Sequence, residues 1–325
     1  MFNYCTLFDS NYLTRGLGMY HSLIRNSPEA HLYIFAFDTL CASILNQLNL
    51  THATIITLSE FETPQLLEIK KSRSAGEYCW TCTPSIIKHS IERYDLESCT
   101  YLDADLYFYS DPSVLIEEMG NKSVLISEHR YTKLFDHSKR AGVYCVQFMT
   151  FKNTDAGMTV LNWWQERCNE WCYNRYEDGK FGDQKYLDDW TTRFDCVHVM
   201  ENEGGGVAPW NIQQYSIAKH EGSFTIENKK TGRKSSLIFY HFHKLQFHSK
   251  TFVYLGFYPF SIAFITNLYT DYIDVLLGLN ADIKTIDASK SNYHGGSDRI
   301  IIDKVFKSFI SKVLFNGSMR VNYLP

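Results

Sequence analysis

The chain has 325 residues, 45% hydrophobic and 15% aromatic, enough to bury a large core in one domain or two smaller ones. Its formal net charge of −4 gives no global attraction to nucleic acid, and no nucleic-acid partner is expected. Nine cysteines, an odd number ending at Cys196, do not read as the disulfide framework of a small secreted protein.

Residues 2–8 (FNYCTLF) predict a strand. Residues 12–26 predict a helix, with Leu13, Leu17, Tyr20 and Ile24 at helical spacing. HLYIFAFD (31–38) predicts a second strand, 39–50 a second helix and ATIITL (53–58) a third strand. Thr83-Pro84 predicts a helix start for 83–94, with proline at the first helical position. CTYLDADLYF (99–108) predicts a buried strand that carries two aspartates, Asp103 and Asp105. Strands at 123–129 and 143–151 follow. An amphipathic helix is predicted over 154–176, with Leu161, Trp164, Cys168 and Trp171 on one face. A triple glycine (204–206) predicts a loop, and 236–243 returns to strand character. Strands alternating with helices argue for an α/β fold, a mainly parallel sheet with helices on both faces. With no repeat, low-complexity tract or linker, one compact domain over 1–260 and a helical C-terminal extension over 261–325 are expected.

The aspartate pair demands an explanation, because burying two carboxylates close together is costly. Residues i and i+2 on a strand point to one side. At the C-terminal end of a sheet strand, where α/β ligands bind, such a pair makes a divalent-cation site for Mg²⁺ or Mn²⁺. Two solvated loop aspartates are the bland alternative. After the first strand, Asp9, Asn11 and Tyr12 stand at the same edge of the sheet. A carboxylate there can accept a base N–H, and a tyrosine can stack on a base. The plain alternative is that Asp9 or Ser10 caps the helix that follows. Cys79 and Cys82 form one C-x-x-C with no second pair, which is too little for a zinc site. Trp210 could form a sugar-stacking platform but is expected in the core, and GGG at 204–206 either approaches a ligand closely or is a flexible loop.

The order DSNYLTRGLGMYHSLIRNSP, YLDADLYFYSDP, FGDQKYLDDW (181–190) and YHFHK (240–244) resembles nucleotide-sugar glycosyltransferases of the GT-A fold. Within that fold it is most similar to family 8, which includes bacterial lipopolysaccharide galactosyl- and glucosyltransferases and glycogenin. The resemblance implies that Asp9, Asn11 and Tyr12 hold a uracil base. It implies that Asp103 and Asp105 bind Mn²⁺ (or Mg²⁺) and the donor diphosphate, and that His241 completes the metal site, with His243 close behind. Asp183 and Gln184 match a D-Q motif near sugar and acceptor. If the enzyme inverts, Asp183 is the general base; if it retains, Asp183 orients the acceptor and Gln184 lies beneath the sugar. Lys244 or Lys250 would add a positive charge at the diphosphate. The sequence departs from the family in three places. EYCWTCTP lacks the usual arginine, Gln147 stands in a strand without the preceding Asn-x-Gly, and the late H-x-x-G-x-x-K-P-W is reduced to His241-Phe242-His243-Lys244.

The implied function is a metal-dependent glycosyltransferase. It would move a hexose or N-acetylhexosamine from a UDP-sugar to a bacterial surface-glycan or lipid-linked acceptor. Its rivals are a sugar-nucleotide nucleotidyltransferase and a non-catalytic carbohydrate-binding protein of the same fold. Against the first, this sequence has no Gly-rich basic loop after its first strand, and the second sits poorly with an intact D-x-D plus His241. The start, MFNYCTLFDSNYL, lacks a signal peptide's pattern, and no window reaches the roughly 18 uninterrupted apolar residues of a membrane span. A cytoplasmic location is therefore expected, and three sequons (Asn49, Asn121, Asn316) carry little weight there. From Lys284 onward seven Lys or Arg stand against three Asp, and 300–315 would form a basic amphipathic helix. Such a helix suits the anionic inner face of the cell membrane, or packs on the domain.

Overall fold

The computed structural model describes residues 2–249, 252–288 and 318–320. In chain order its first strands are β1 (Asn3–Phe8), β2 (His31–Ala36), β3 (Ala53–Thr57), β4 (Ser98–Leu102), β5 (Leu106–Phe108), β6 (Val124–Glu128), β7 (Tyr144–Lys152) and β8 (Val197–Val199). All but β5 form a seven-stranded sheet in the order β3-β2-β1-β4-β7-β6-β8. Strands β1 to β4 run parallel, β7 runs antiparallel to both β4 and β6, and β8 lies parallel to β6. The sheet is thus α/β, mixed and mainly parallel, as the alternation of elements predicts.

Period-two alternation assigns the two faces. Tyr4, Phe8, Leu32, Ile34 and Ala36 belong to one core, under helices Leu13–Asn26 and Thr39–Leu48. Cys5, Leu7, Tyr33 and Phe35 belong to the opposite core, under helices Ala75–Tyr94 and Asp155–Glu170. Both faces are covered, which is why these strands read as near-continuous apolar runs. A third core gathers Trp210, Tyr240, Phe242, Tyr269 and Tyr272, and the Phe242 and Tyr272 rings stack at 3.7 Å.

Three elements differ from expectation. The helix predicted from Thr83 starts at Ala75, because Ser74 and Glu77 form a reciprocal capping box. Pro84 therefore lies inside the helix rather than at its start. The helix predicted to 176 ends at Glu170, where Trp171 turns extended. Most consequentially, the strand predicted over 99–108 breaks at the aspartates. Asp103 N–H still bonds the Gln147 carbonyl at 3.0 Å, but Leu106 N–H turns back onto the Asp103 carbonyl at 3.2 Å. An unbroken strand would drive both carboxylates into one apolar face. The turn instead leaves them at the sheet's end.

Past β9 (Tyr215–His220), β10 (Ser223–Asn228) and β11 (Lys234–Ser236), the chain returns as β12 (Phe239–His241). β12 pairs antiparallel with β5, placing His241 opposite Leu106. The triple glycine is threaded through protein, not held open for a ligand. A Cβ on Gly204 would collide with the Ser236 carbonyl, and one on Gly205 would meet Met200 Sδ at 2.5 Å. Among the described residues, Ile262–Ile286 is the one helical run long and apolar enough to cross a membrane on length and composition. Its Phe264, Leu268, Tyr269, Tyr272, Ile273 and Leu276 are buried in the third core. The basic helix expected over 300–315 lies outside the described residues, as does Lys250.

Candidate metal and donor site

At the C-terminal end of β4, the structure brings Asp103, Asp105 and His241 together. His241 Nε2 lies 3.0 Å from Asp105 Oδ1 and 3.9 Å from Asp103 Oδ2. The backbone locks this approach, since Phe242 N–H donates to the Asp105 carbonyl at 2.9 Å. His241 Nδ1 lies 2.8 Å from Gln147 Oε1, so its N–H there is spoken for and Nε2 faces the carboxylates. Gln147 is 0% exposed, and its carbonyl also holds Asp103 N–H. His243 completes the group. One ligating atom each from Asp105, His241 and His243 lies within 4.8 Å of the others. The Trp210 ring stands edge-on to both imidazoles, at 5.3 Å from His241 and 5.4 Å from His243. Trp210 is itself pinned by its indole N–H on the His129 carbonyl at 2.8 Å.

The two aspartates are electrostatically unequal. Burial pushes Asp103 up to about 7, only partly offset by His241. Burial pushes Asp105 the same way, but the His241 charge and hydrogen bond outweigh it and hold Asp105 at about 2. His241 is pushed down by burial and then well above its usual range by Asp105. Burial and the His241 charge hold His243 down at about 3, so it keeps a free lone pair at neutral pH. Carboxylate and imidazole donors converging at this distance fit a divalent cation, which would supply the charge that lets the carboxylates coexist.

Asp9 builds a local turn. Its Oδ1 accepts N–H bonds from Asn11 at 2.9 Å and Tyr12 at 3.2 Å, and its Oδ2 accepts from the Asn11 amide at 3.0 Å. Tyr12 occupies the cap position before the helix without a side-chain cap bond, and its side chain is 41% exposed. Burial raises the pKa of its hydroxyl first, and the Asp105 charge second. Arg15, 1% exposed, places its guanidinium 4.7 Å from the Tyr12 ring centre and donates to the Leu245 carbonyl.

Asp183 is 5% exposed, and burial followed by the Asp103 charge pushes its carboxyl up to about 8. Its carboxyl is thereby coupled to the Asp103 charge. Gln184 does not reach toward it, because its amide N–H donates to the Ala141 carbonyl at 2.6 Å. With Lys185 on the Ser138 carbonyl at 3.0 Å and Asp188 on Val143 N–H at 2.8 Å, Gln184 straps the loop 138–143 to this segment. The strap carries Arg140, which lies 5.1 Å over the Phe181 ring. Lys244 turns the chain at φ 62 beside His243. Its ammonium is lowered by burial and then by the Arg140 charge.

No family model matches the chain. Uncharacterized protein YfnF of Bacillus subtilis (strain 168) is 33% identical over 247 residues, covering 74% of this chain and 80% of YfnF. Uncharacterized protein YfnD of the same organism is 30% identical over 245 residues, covering 74% of this chain and 77% of YfnD. The chain belongs to the YfnD and YfnF family. A crystal structure of the galactosyltransferase LgtC with donor and acceptor sugar analogs aligns with a TM-score of 0.51 at 11% identity. That match covers 85% of this chain and 95% of LgtC. At such identity the likeness is one of fold, and the chain has the GT-A fold expected from its motifs.

Sequence reasoning missed the contacts of Gln147 with His241 and of Arg15 with Tyr12, and the charge that Arg140 sets near Lys244. Gln147 left a signal: it is the lone amide in the mostly apolar run YCVQFMTF, whose strand is buried from Tyr144 to Phe151. Arg15 reads as an ordinary polar position on a surface helix until Leu245 covers it. Arg140 left no signal, because only the strap to Gln184 and Lys185 brings it near.

Proposed function

We propose that the chain is a metal-dependent glycosyltransferase that moves a hexose or N-acetylhexosamine from a UDP-sugar to a bacterial surface-glycan acceptor. The observation that carries this reading is the approach of His241 to Asp103 and Asp105 at the ligand-binding end of the sheet. A bound Mn²⁺ would neutralise the diphosphate as the sugar's C1–O bond breaks. Asp105, ionised throughout the physiological range, is the strongest oxygen donor toward it, with His241 as nitrogen donor. Asp103 contacts the cation through water or meets the donor ribose. Asp9, Asn11 and Tyr12 take the base, with the exposed tyrosine face as its platform. Lys244 adds a point charge at the phosphates.

Asp183 stays protonated at neutral pH in the ligand-free state. In that form it donates a hydrogen bond to a sugar or acceptor hydroxyl, which supports orientation over proton abstraction. Gln184 acts through the strap it holds. The acceptor is a glycan, lipid-linked at the inner face of the cell membrane, and the protein works in the cytoplasm. The test is to incubate the protein with a panel of sugar nucleotides and Mn²⁺ and follow donor hydrolysis and transfer. Activity should vanish in EDTA, return with Mn²⁺, and be absent in a folded Asp105→Ala variant. Full activity in EDTA would refute the reading.

A further inference from the structure

We propose that His243 is a direct ligand of the divalent cation, so that the inner set is two imidazoles and one carboxylate: His241, His243 and Asp105. Asp103 then stands outside that set. The inference rests on the metal-dependent reading above and specifies its ligands.

Three observations carry it. The first is distance. The ligating atoms that converge within 4.8 Å are those of Asp105, His241 and His243. Asp103 is not among them: its Oδ2 stands 3.9 Å from His241 Nε2, against 3.0 Å for Asp105 Oδ1, and its Oδ1 accepts from the Tyr101 hydroxyl at 2.9 Å. The second is ring orientation. Gln147 takes the Nδ1 side of His241, which leaves Nε2 for the cation. Trp210 stands edge-on to both imidazoles, at interplanar angles of 80° and 73°, and its indole N–H is anchored on the His129 carbonyl. Two histidines held by one buried tryptophan are pre-set as a pair. The third is the chain path. Past β12, Leu245 N–H bonds the Phe242 carbonyl at 3.2 Å, and Lys244 adopts a left-handed φ of 62. This turn keeps His243 beside His241, with their ring centres 5.5 Å apart.

The chemical consequence concerns selectivity. Hard Mg²⁺ prefers oxygen donors, whereas imidazoles suit later first-row cations. Two nitrogens against one carboxylate make the site discriminate for Mn²⁺ over Mg²⁺ more strongly than a two-carboxylate, one-histidine site would.

The test uses the full-length protein. Pulsed electron paramagnetic resonance of Mn²⁺ bound to the unaltered chain, with UDP present, counts coordinated imidazole nitrogens. Two are expected; a single one overturns the inference while leaving the metal-dependent reading intact. Mn²⁺ titrations of His243→Asn and Asp103→Asn provide a second measurement, with folding checked by circular dichroism. His243→Asn should weaken Mn²⁺ binding by at least about tenfold and reduce the preference over Mg²⁺. Asp103→Asn should weaken it less. The reverse order overturns the inference. No Mn²⁺ binding by the unaltered chain, with or without UDP, would bring down the metal-dependent reading itself.

Discussion

Replacing Asp183 with asparagine should make the protein more stable and less active, and the stability gain should depend on pH in one direction. The Asp183 carboxyl is 5% exposed and is pushed from 3.8 up to about 8 by burial and then by Asp103. In the unfolded chain it ionises near its ordinary value, whereas in the folded chain it holds its proton until about pH 8. Across that interval the folded state binds more protons, so stability falls as pH rises from about 4 to 8. At 1.36 kcal/mol per unit, about four units set a ceiling of roughly 5 kcal/mol. Relaxation and water entry reduce this, and a gain of about 1–3 kcal/mol for Asp183→Asn at pH 8 is expected. Near pH 4 most of the gain should be gone, because the unfolded group is then close to its ordinary value and about half protonated. At about 2 °C per kcal/mol the midpoint should rise by roughly 2–6 °C at pH 8. Scanning calorimetry in EDTA, at pH 4.5 and pH 8, reads this directly. EDTA matters because a cation beside Asp103 would remove part of the repulsion. Equal midpoints at both pH values, or a variant less stable at pH 8, would refute the reasoning. The same variant should lose transfer activity, because sites are often built at the expense of stability.

Other perturbations separate donor binding from folding. Tyr12→Ala should weaken UDP binding by on the order of 1–3 kcal/mol, the range of base–aromatic stacking; unchanged affinity in calorimetry would leave Tyr12 as the residue before a helix and nothing more. Gly204→Ala forces a Cβ onto the Ser236 carbonyl and should cost about 1–3 kcal/mol, read as a lower urea midpoint. An unchanged midpoint there would mean that the 204–206 loop yields, contrary to its packing. Asp105→Ala, the variant that tests the proposed function, should abolish transfer yet keep the circular dichroism spectrum of the unaltered chain.

Much of the fold was legible because its signals are local. The apolar runs 2–8, 31–38 and 53–58 predicted strands that pair in register as β1, β2 and β3. The helix beginning at Leu13 was predicted from Leu13, Leu17, Tyr20 and Ile24; the first three are buried and Ile24 is half-buried. The errors occurred where a local cue competed with another. Thr83-Pro84 looks like a helix start, yet the capping box at Ser74 and Glu77 begins the helix earlier. The apolar residues flanking Asp103 and Asp105 look like one strand, yet the turn between them is what takes the carboxylates off the apolar face.

The residue types of the site were present in the sequence from the outset: a D-A-D after an apolar run, a late H-F-H, a polar amide inside a strand. Their roles were not. Which histidine meets which carboxylate depends on β12 pairing with β5 at a register that sets His241 opposite Leu106. The orientation of that histidine depends on Gln147, from a strand antiparallel to β4. The protonation of Asp183 depends on its burial and on Asp103, a carboxylate that is remote in sequence. Periodicity and capping act over one turn or one strand, so a sequence displays them directly. Hydrogen bonds and charges act through space between segments far apart along the chain, so ligand geometry and pKa are set only when the sheet order and β12 have closed around them.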